Sequence, residues 1–330
     1  MEKSYNILVI GNGFDLAHGL PTAYNDFLEF AERVTHIFEF LDLKSELDYQ
    51  HSYLDGWDFD FYIKGMLREA FAKRRIVSDE RGEHFEVHGS SLNEVNDLIG
   101  DNVWFRYFLA RRFEIGENWI DFETEMSSVI QALDAARHMV ETGKSIQETT
   151  EKEQVVLTKI RECSNGTTTN AYVSTQNIDG FTQCLYDDLK KLTRALEIYL
   201  SDFVAKIDVR KKSLDIENLD IDHVLSFNYT DTFEKKYKGD KKIECDYIHG
   251  KVDIHHTIDE NNMVLGIDEY LDEQRRDVDV EFVAFKKFYQ RIYKQEPMYV
   301  KDWCRKIKQD DELEKYSRKF FYKRVSEVAR

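Results

Sequence analysis

The sequence predicts an α/β chain with a small parallel sheet, a large helical insertion and a helical C-terminal tail. A short apolar run, Tyr5–Ile10, ends in Gly-Asn-Gly, which is typical of a buried strand entering a tight loop. Two later runs, Ile221–Phe227 and Ile243–Ile248, also predict strands, and each ends at a polar motif. Helical spacing dominates the region between these strands, and the whole chain of 330 residues has only two prolines.

The insertion is predicted from the positions of its apolar residues. From Tyr24 to about Leu47, apolar residues recur at steps of three and four, which predicts a helix. Further helices are predicted over Phe61–Arg75, Leu92–Phe113, Trp119–Val140 and Ile146–Cys163. The stretch Ile76–Ser91 contains two glycines and mixed charges, and it predicts an exposed loop.

The second half of the chain continues the same alternation. Ala171–Thr175 predicts a strand, Gly180–Val209 a helix, and Met263–Ile267 another short strand. We therefore expect a single domain over residues 1–330, with the following parts: a sheet core at 5–22 and 170–270, a helical insertion at 30–165, and C-terminal helices at 280–330.

Composition narrows the classes of partner. The chain has 46 Lys plus Arg against 63 Asp plus Glu, a net charge of −17, which argues against binding to nucleic acid or to an anionic membrane. The N-terminus lacks a signal-peptide pattern, and no run approaches the roughly 18 apolar residues of a membrane span. The four cysteines form no C-x-x-C pair. We expect a cytoplasmic protein without a bound metal.

The sharpest functional signal is the segment that follows the first strand. Glycines there let the backbone approach a phosphate or ribose, and the following helix offers free N–H groups. The candidate binding residues are Gly11, Asn12, Gly13, Phe14, Gly19, Pro21 and Thr22. The ordinary dinucleotide fingerprint requires glycine where Leu16 stands. A tight turn that binds no ligand is the alternative interpretation.

Four motifs carry a resemblance to a known family. They are I-G-N-G-F-D-L-x-x-G-L-P-T-x-Y-x-x-F from Ile10, W-x-D-F-E from Trp119, S-F-N-Y-T from Ser226, and I-H-G from Ile248. Together they resemble the AbiH family of bacterial abortive-infection, phage-defence proteins, over residues 7 to about 268. That family commonly has a C-terminal Gly-His-Ser-Leu segment, which this sequence lacks, so a role located there is not expected here.

The family in turn resembles sirtuins and sirtuin-like NAD-cleaving enzymes, and the first motif falls in the register of their Gly-Ala-Gly and Gly-Ile-Pro segments. The resemblance implies a Rossmann-like, sirtuin-like fold with NAD or a related nucleotide as substrate or ligand. It also implies a phage-derived trigger, and a homo-oligomer is compatible with it. The nucleotide contacts that it adds are Phe227, Tyr229, Thr230 and Gly250.

Three residues fit the cleavage of a nicotinamide–ribose bond. Asn228 can hold a water or a ribose hydroxyl, and His249 can accept the proton as that oxygen attacks. Asp15 can hold a ribose hydroxyl or balance developing positive charge. The alternatives are a turn-forming asparagine, a histidine bonded to backbone at a strand end, and an aspartate that caps a helix.

Other sequence features leave rival interpretations open. Thr175–Gly180 reads T-Q-N-I-D-G as in sirtuins, but without their zinc cysteines, so we interpret it as a turn in which Asn177 or Asp179 caps the next helix. A contribution to a second site is the alternative. One rival function is a non-catalytic nucleotide sensor. Another is a metal-dependent nuclease that uses carboxylates such as Asp121 and Glu123, against which the net charge argues.

Overall fold

The computed structural model describes residues 6–40, 43–115, 120–164, 178–209, 212–271, 275 and 280–294. The chain divides into two compact units. The first, here called the sheet unit, comprises Met1–Phe122 and Thr158–Asn261. The second unit comprises Glu123–Leu157 and Asn262–Arg330.

Helices make up most of the described structure. The α-helices are α1 (Asn12–Ala17), α2 (Tyr24–Phe38), α3 (Glu46–Tyr49), α4 (Phe61–Lys73), α5 (Ser91–Ile99), α6 (Val103–Ile115), α7 (Phe122–Glu141), α8 (Glu151–Ser164), α9 (Ile178–Ile198), α10 (Leu214–Glu217) and a last helix, Lys287–Lys294. Shorter π and 3₁₀ turns are Gln50–Leu54, Ile146–Glu148, Tyr199–Phe203, Val204–Lys206, Glu234–Lys238 and Val283–Phe285. Helices α7 and α9 confirm two of the predicted segments.

The strands form two separate sheets. They are β1 (Ile7–Ile10), β2 (Arg75–Asp79), β3 (Gly82–Glu86), β4 (His223–Ser226) and β5 (Glu244–Tyr247). Strands β1, β4 and β5 form a parallel sheet in the order β1-β4-β5. The predicted small parallel sheet, with strands from both sides of the helical region, is therefore confirmed, and so is the mixed α/β class.

One face of the parallel sheet packs on a small apolar cluster. Its buried members are Ile10, Val224, Phe233, Tyr237 and Ile243, and partly buried residues such as Leu8 and Phe14 pack against it. Alternate residues of a strand point to opposite faces, so Leu8 and Ile10 of β1 reach the same cluster. This burial holds β1 against β4, although β1 ends at Ile10 and β4 begins only at His223.

The predicted loop Ile76–Ser91 is wrong over most of its length, because β2 and β3 form an antiparallel hairpin there. The turn closes at Gly82, whose φ of +95° favours glycine. Most of its side chains are exposed, so the sequence shows little of the apolar alternation that identifies a half-buried strand. Phe85 anchors the hairpin by packing on Phe40, with ring centroids 4.6 Å apart.

The single helix predicted over Leu92–Phe113 is also wrong, because it breaks into α5 and α6. The buried Asn102 side chain accepts the N–H of Phe105 at 3.0 Å and donates to the Asp188 carbonyl at 2.8 Å. The Asp188 carboxylate accepts the N–H of Val103 at 2.9 Å. These polar side chains satisfy the free N–H groups at the start of α6, which makes a new helix start favourable here.

Two further predictions are wrong in part, and others concern residues outside the described part of the chain. Helix α2 ends at Phe38 instead of near Leu47. The predicted strand Met263–Ile267 forms a single bridge, Ile267 to Lys286, and no strand. The predicted strand Ala171–Thr175 lies outside the described residues, as does most of the C-terminal tail.

Within the second unit, the segment around Gly266 is held by polar contacts. The Gln290 side chain donates to the Leu265 carbonyl at 2.9 Å and accepts its N–H at 3.2 Å. A Cβ on Gly266 would lie 2.3 Å from the Phe285 carbonyl oxygen, so only glycine fits.

Among the helices described, none is long and apolar enough to cross a membrane.

Candidate functional site

The carboxyl edge of the parallel sheet brings three of the sequence motifs together. The ladder continues one step beyond the strands, because Phe227 donates its N–H to the Ile10 carbonyl at 2.9 Å and Ile248 donates to Ser226 at 2.8 Å. The loops that begin at Gly11, Phe227 and His249 therefore leave the same edge. In parallel sheets, ligands commonly bind outside this edge.

Asp15 links two of these loops. Its side chain is 1% exposed, and Oδ2 accepts the Thr230 hydroxyl at 2.5 Å, while Thr232 donates to Thr230 at 3.2 Å. Its other oxygen, Oδ1, is buried without a hydrogen-bond partner. Burial raises the pKa of the Asp15 carboxyl, and the hydrogen bond from Thr230 opposes that rise. The carboxylate thus joins α1 to the loop after β4, with capacity for one more donor.

Asn228 is the least satisfied polar side chain of this edge. The residue is 5% exposed, and neither the amide nitrogen nor the amide oxygen has a hydrogen-bond partner. A turn-forming asparagine would bond its side chain to nearby backbone, and this one does not. Leaving a buried donor or acceptor unsatisfied costs about 1–3 kcal/mol. A polar ligand that bonded both amide atoms would recover that free energy.

His249 lies beside the two neighbours of Asn228 in the chain. Its half-buried ring is 5.5 Å from the Phe227 ring and 6.3 Å from the Tyr229 ring, centroid to centroid. The chain then turns at Gly250, whose φ is +85°. Val252 donates its N–H to the Tyr229 carbonyl at 3.0 Å, which ties the segment after His249 to the Asn228 loop.

The glycines of the first loop provide space. A Cβ added to Gly11 or Gly13 would meet no atom within 4 Å, and Gly19 has a φ of +77°. Helix α1 has only six residues, so its dipole is small. Its backbone therefore contributes an open approach to the sheet edge more than a strong field for anions.

The other candidates of the first motif have structural partners. Thr22 donates its hydroxyl to Asn12 Oδ1 at 2.7 Å. The Pro21 carbonyl accepts the buried Tyr199 hydroxyl at 2.7 Å. Phe14 packs in the apolar cluster, 5.9 Å from the Tyr237 ring. These residues shape the loop, whereas Asp15 and Thr230 meet directly at the edge.

A histidine that the sequence interpretation left without a role also belongs to this loop. His18 Nδ1 lies 2.6 Å from the Phe14 carbonyl, which can only accept, so Nδ1 carries the proton. Nε2 forms a hydrogen bond with the Tyr237 hydroxyl at 2.5 Å. His18 is inside the first motif, but its partner lies 219 residues away, and no local pattern indicates that contact.

The segment after Gly250 is held by a fully buried carboxylate on α9. Glu197 is 0% exposed and accepts four hydrogen bonds. The donors are the Arg194 guanidinium at 2.8 Å, the Asp253 N–H at 3.1 Å, His256 Nδ1 at 2.6 Å and the Asn261 amide at 2.7 Å. The sequence interpretation missed this cluster, because its members are spread over α9 and a distant loop. It fixes the chain that follows His249.

Several sequence candidates lie elsewhere. Asp179 is in the first turn of α9, while Thr175–Asn177 and Trp119 lie outside the described residues. The Glu123 carboxylate pairs with the Lys287 ammonium in the second unit. Within the described part of the chain, no three His, Cys, Asp or Glu side chains are grouped as a metal site would require.

Comparison with known proteins gives one family. A family model described as "Bacteriophage abortive infection AbiH" matches residues 7–325. No curated protein and no solved structure matches the chain.

Proposed function

Because this chain belongs to the bacteriophage abortive infection AbiH family, we propose that it acts in phage defence by binding NAD or a related nucleotide. The binding site is the carboxyl edge of the parallel sheet, and the reaction is hydrolysis of the nicotinamide–ribose bond. Depletion of NAD then halts the infected cell before phage release. The protein acts in the cytoplasm, in response to a phage-derived trigger.

The buried, unpartnered amide of Asn228 carries this proposal. Its nitrogen donates and its oxygen accepts, so it suits a ligand that offers both, such as a ribose hydroxyl or a carboxamide. The unpartnered Oδ1 of Asp15 adds an acceptor, and the open approach at Gly11 and Gly13 admits a bulky group. A sirtuin-like, Rossmann-type relationship agrees with the three parallel strands but is itself part of the proposal.

The reaction depends mainly on how the protein positions the attacking water and the ribose. The oxygen of a water attacks the ribose C1′, the C1′–N bond breaks, and its electron pair neutralises the pyridinium nitrogen of the departing nicotinamide. The proton lost by the water passes to His249, which gives ADP-ribose and nicotinamide. Asn228 orients the water or a ribose hydroxyl, and the Asp15 carboxylate balances the positive charge that develops on the sugar.

The test is incubation of the purified full chain with NAD, followed by chromatography. We expect nicotinamide from the wild type, and a loss of at least about 100-fold in rate for Asn228→Ala and for His249→Ala. Asn218→Ala is a matched control, because Asn218 is exposed at the end of α10. Release at the wild-type rate by both site variants would refute the assignment of the site.

A nucleotide sensor without catalysis is the second candidate. The Asn228 amide needs a ligand to bond with, and this requirement is met by binding alone. Intact NAD after prolonged incubation, together with calorimetric binding that Asn228→Ala abolishes, would favour the sensor. The mass of the purified protein in solution would show whether the chain forms a homo-oligomer.

A further inference from the structure

A cavity of about 440 Å³ lies next to the candidate site, and most of its lining residues have no role in the proposed reaction. Leu20 and three segments line it: residues 200–209 after α9, the loop at 230–236, and residues 252–255. Thr230 is on its wall, whereas Asn228 and His249 are not among the lining residues. Pockets for small molecules commonly measure roughly 300–1,000 Å³.

The wall contains a chain of hydrogen bonds with a defined direction. The Thr230 hydroxyl donates to Asp15, and Thr232 donates to Thr230. Thr232 also lines the cavity, and because a hydroxyl has one proton, its Oγ1 can only accept any further hydrogen bond. A group that bonds there must therefore be a donor, such as a sugar hydroxyl.

Two lysines of the 230–236 loop line the same cavity as Thr232. Lys235 donates to Asp231 at 2.9 Å, and the Lys236 ammonium lies 3.3 Å from Asp208. An ammonium has three donors, and each of these ion pairs uses one of them. The remaining N–H groups can bond to phosphate oxygens.

The charge of the lining also favours an anion more than the rest of the protein does. Three lysines line the cavity with three aspartates, so the local formal charge is balanced in a chain whose net charge is −17. Part of the wall is apolar, because Leu200, Val204, Val252 and Ile254 line it. A weakly polar group can pack along such a wall.

We propose that this cavity binds a nucleoside monophosphate. A ribose hydroxyl donates to Thr232 Oγ1, the phosphate bonds to Lys235 and Lys236, and the base lies along the apolar wall. The proposal goes beyond the proposed function and does not rest on it, since a ligand here needs neither Asn228 nor NAD cleavage.

The test is calorimetric titration of the full chain with AMP, adenosine, ribose 5-phosphate and inorganic phosphate. We expect AMP to bind most tightly. The double variant Lys235→Ala/Lys236→Ala should weaken AMP at least about tenfold and leave adenosine unchanged. Thr232→Val should weaken AMP and adenosine alike, by roughly 3–10-fold, and leave inorganic phosphate unchanged.

The controls separate this site from the sheet edge. Lys190 is also ion-paired, at 3.0 Å from Asp187, but does not line the cavity, so Lys190→Ala should bind AMP like the wild type. Asn228→Ala should lose NAD turnover and keep AMP binding. The proposal is overturned if AMP does not bind at about 10 mM, or if the lysine variant and Lys190→Ala bind it equally. AMP binding that Asn228→Ala abolishes would also overturn it.

Discussion

Replacing Asn228 with leucine should stabilise the ligand-free protein. Leucine has the same branching and the same number of side-chain heavy atoms as asparagine, and it removes a buried amide whose two polar atoms have no partner. Relief of the desolvation cost predicts a gain of about 1–3 kcal/mol in the free energy of unfolding. The same change should abolish the proposed activity, as expected where a binding site is retained at a cost in stability.

The chain offers a matched control with the opposite sign. Asn102 is also buried in the sheet unit, but its side chain accepts from Phe105 and donates to the Asp188 carbonyl. Asn102→Leu removes a helix cap and a buried hydrogen bond, so it should lose about 2–4 kcal/mol.

Urea unfolding measures both changes, because the midpoint reports stability when the slope of the free energy against urea concentration is the same in wild type and variants. The midpoint should rise for Asn228→Leu and fall for Asn102→Leu. Equal destabilisation by the two variants would mean that the Asn228 amide is satisfied in the ligand-free protein, and the argument for a ligand there would fail.

Three further predictions concern stability. Glu197→Leu should lose about 3–5 kcal/mol in urea unfolding, because it removes the buried one of the two carboxylates that pair with Arg194 and leaves the other donors of the cluster without their acceptor. A loss below about 1 kcal/mol would contradict the cluster. Gly266→Ala should lower the free energy of unfolding by about 1–3 kcal/mol, because its Cβ would meet a carbonyl oxygen. Gly65→Ala in α4 should be neutral or stabilising, because the new Cβ has no atom within 4 Å. Thermal melting would show the difference, and equal melting temperatures of the two variants would refute it. Burial raises the pKa of Asp15 above 3.8 in the folded state, so the folded protein binds this proton more tightly than the unfolded chain and loses stability as pH rises from about 3.8 through the raised pKa. In urea midpoints measured against pH, Asp15→Asn should lack this loss. Parallel profiles of the wild type and the variant would contradict the prediction.

The parallel sheet was predictable because its signals are local. Strand β1 is a short apolar run, β4 has an apolar centre, and β5 lies between Ile243 and Ile248. Each strand ends at a motif that stands out in the sequence. The β2–β3 hairpin was not predictable in the same way, because its side chains face solvent and carry little apolar alternation. The break at Asn102 depends on Asp188, which is distant in the chain, so helical spacing alone could not indicate it.

The sequence indicated which residues belong to the candidate site, but it did not indicate which of them contact one another. The order of the motifs indicated Asp15, Asn228 and His249, and the parallel sheet explains why their loops leave one edge. The bond between Asp15 and Thr230 joins residues 215 positions apart, and only the fold reveals it. The burial of Asn228 and the cluster around Glu197 follow from packing of separate segments, for which the sequence has no local pattern.

The most direct test of the central claim is a single-turnover reaction, with the full chain in excess over NAD and both products counted. The account predicts nicotinamide and ADP-ribose in equal amounts from the wild type and from Asn218→Ala, and neither product from Asn228→Ala within the same time. NAD that stays intact with the wild type would contradict hydrolysis, and equal product from Asn228→Ala would contradict the role of its amide.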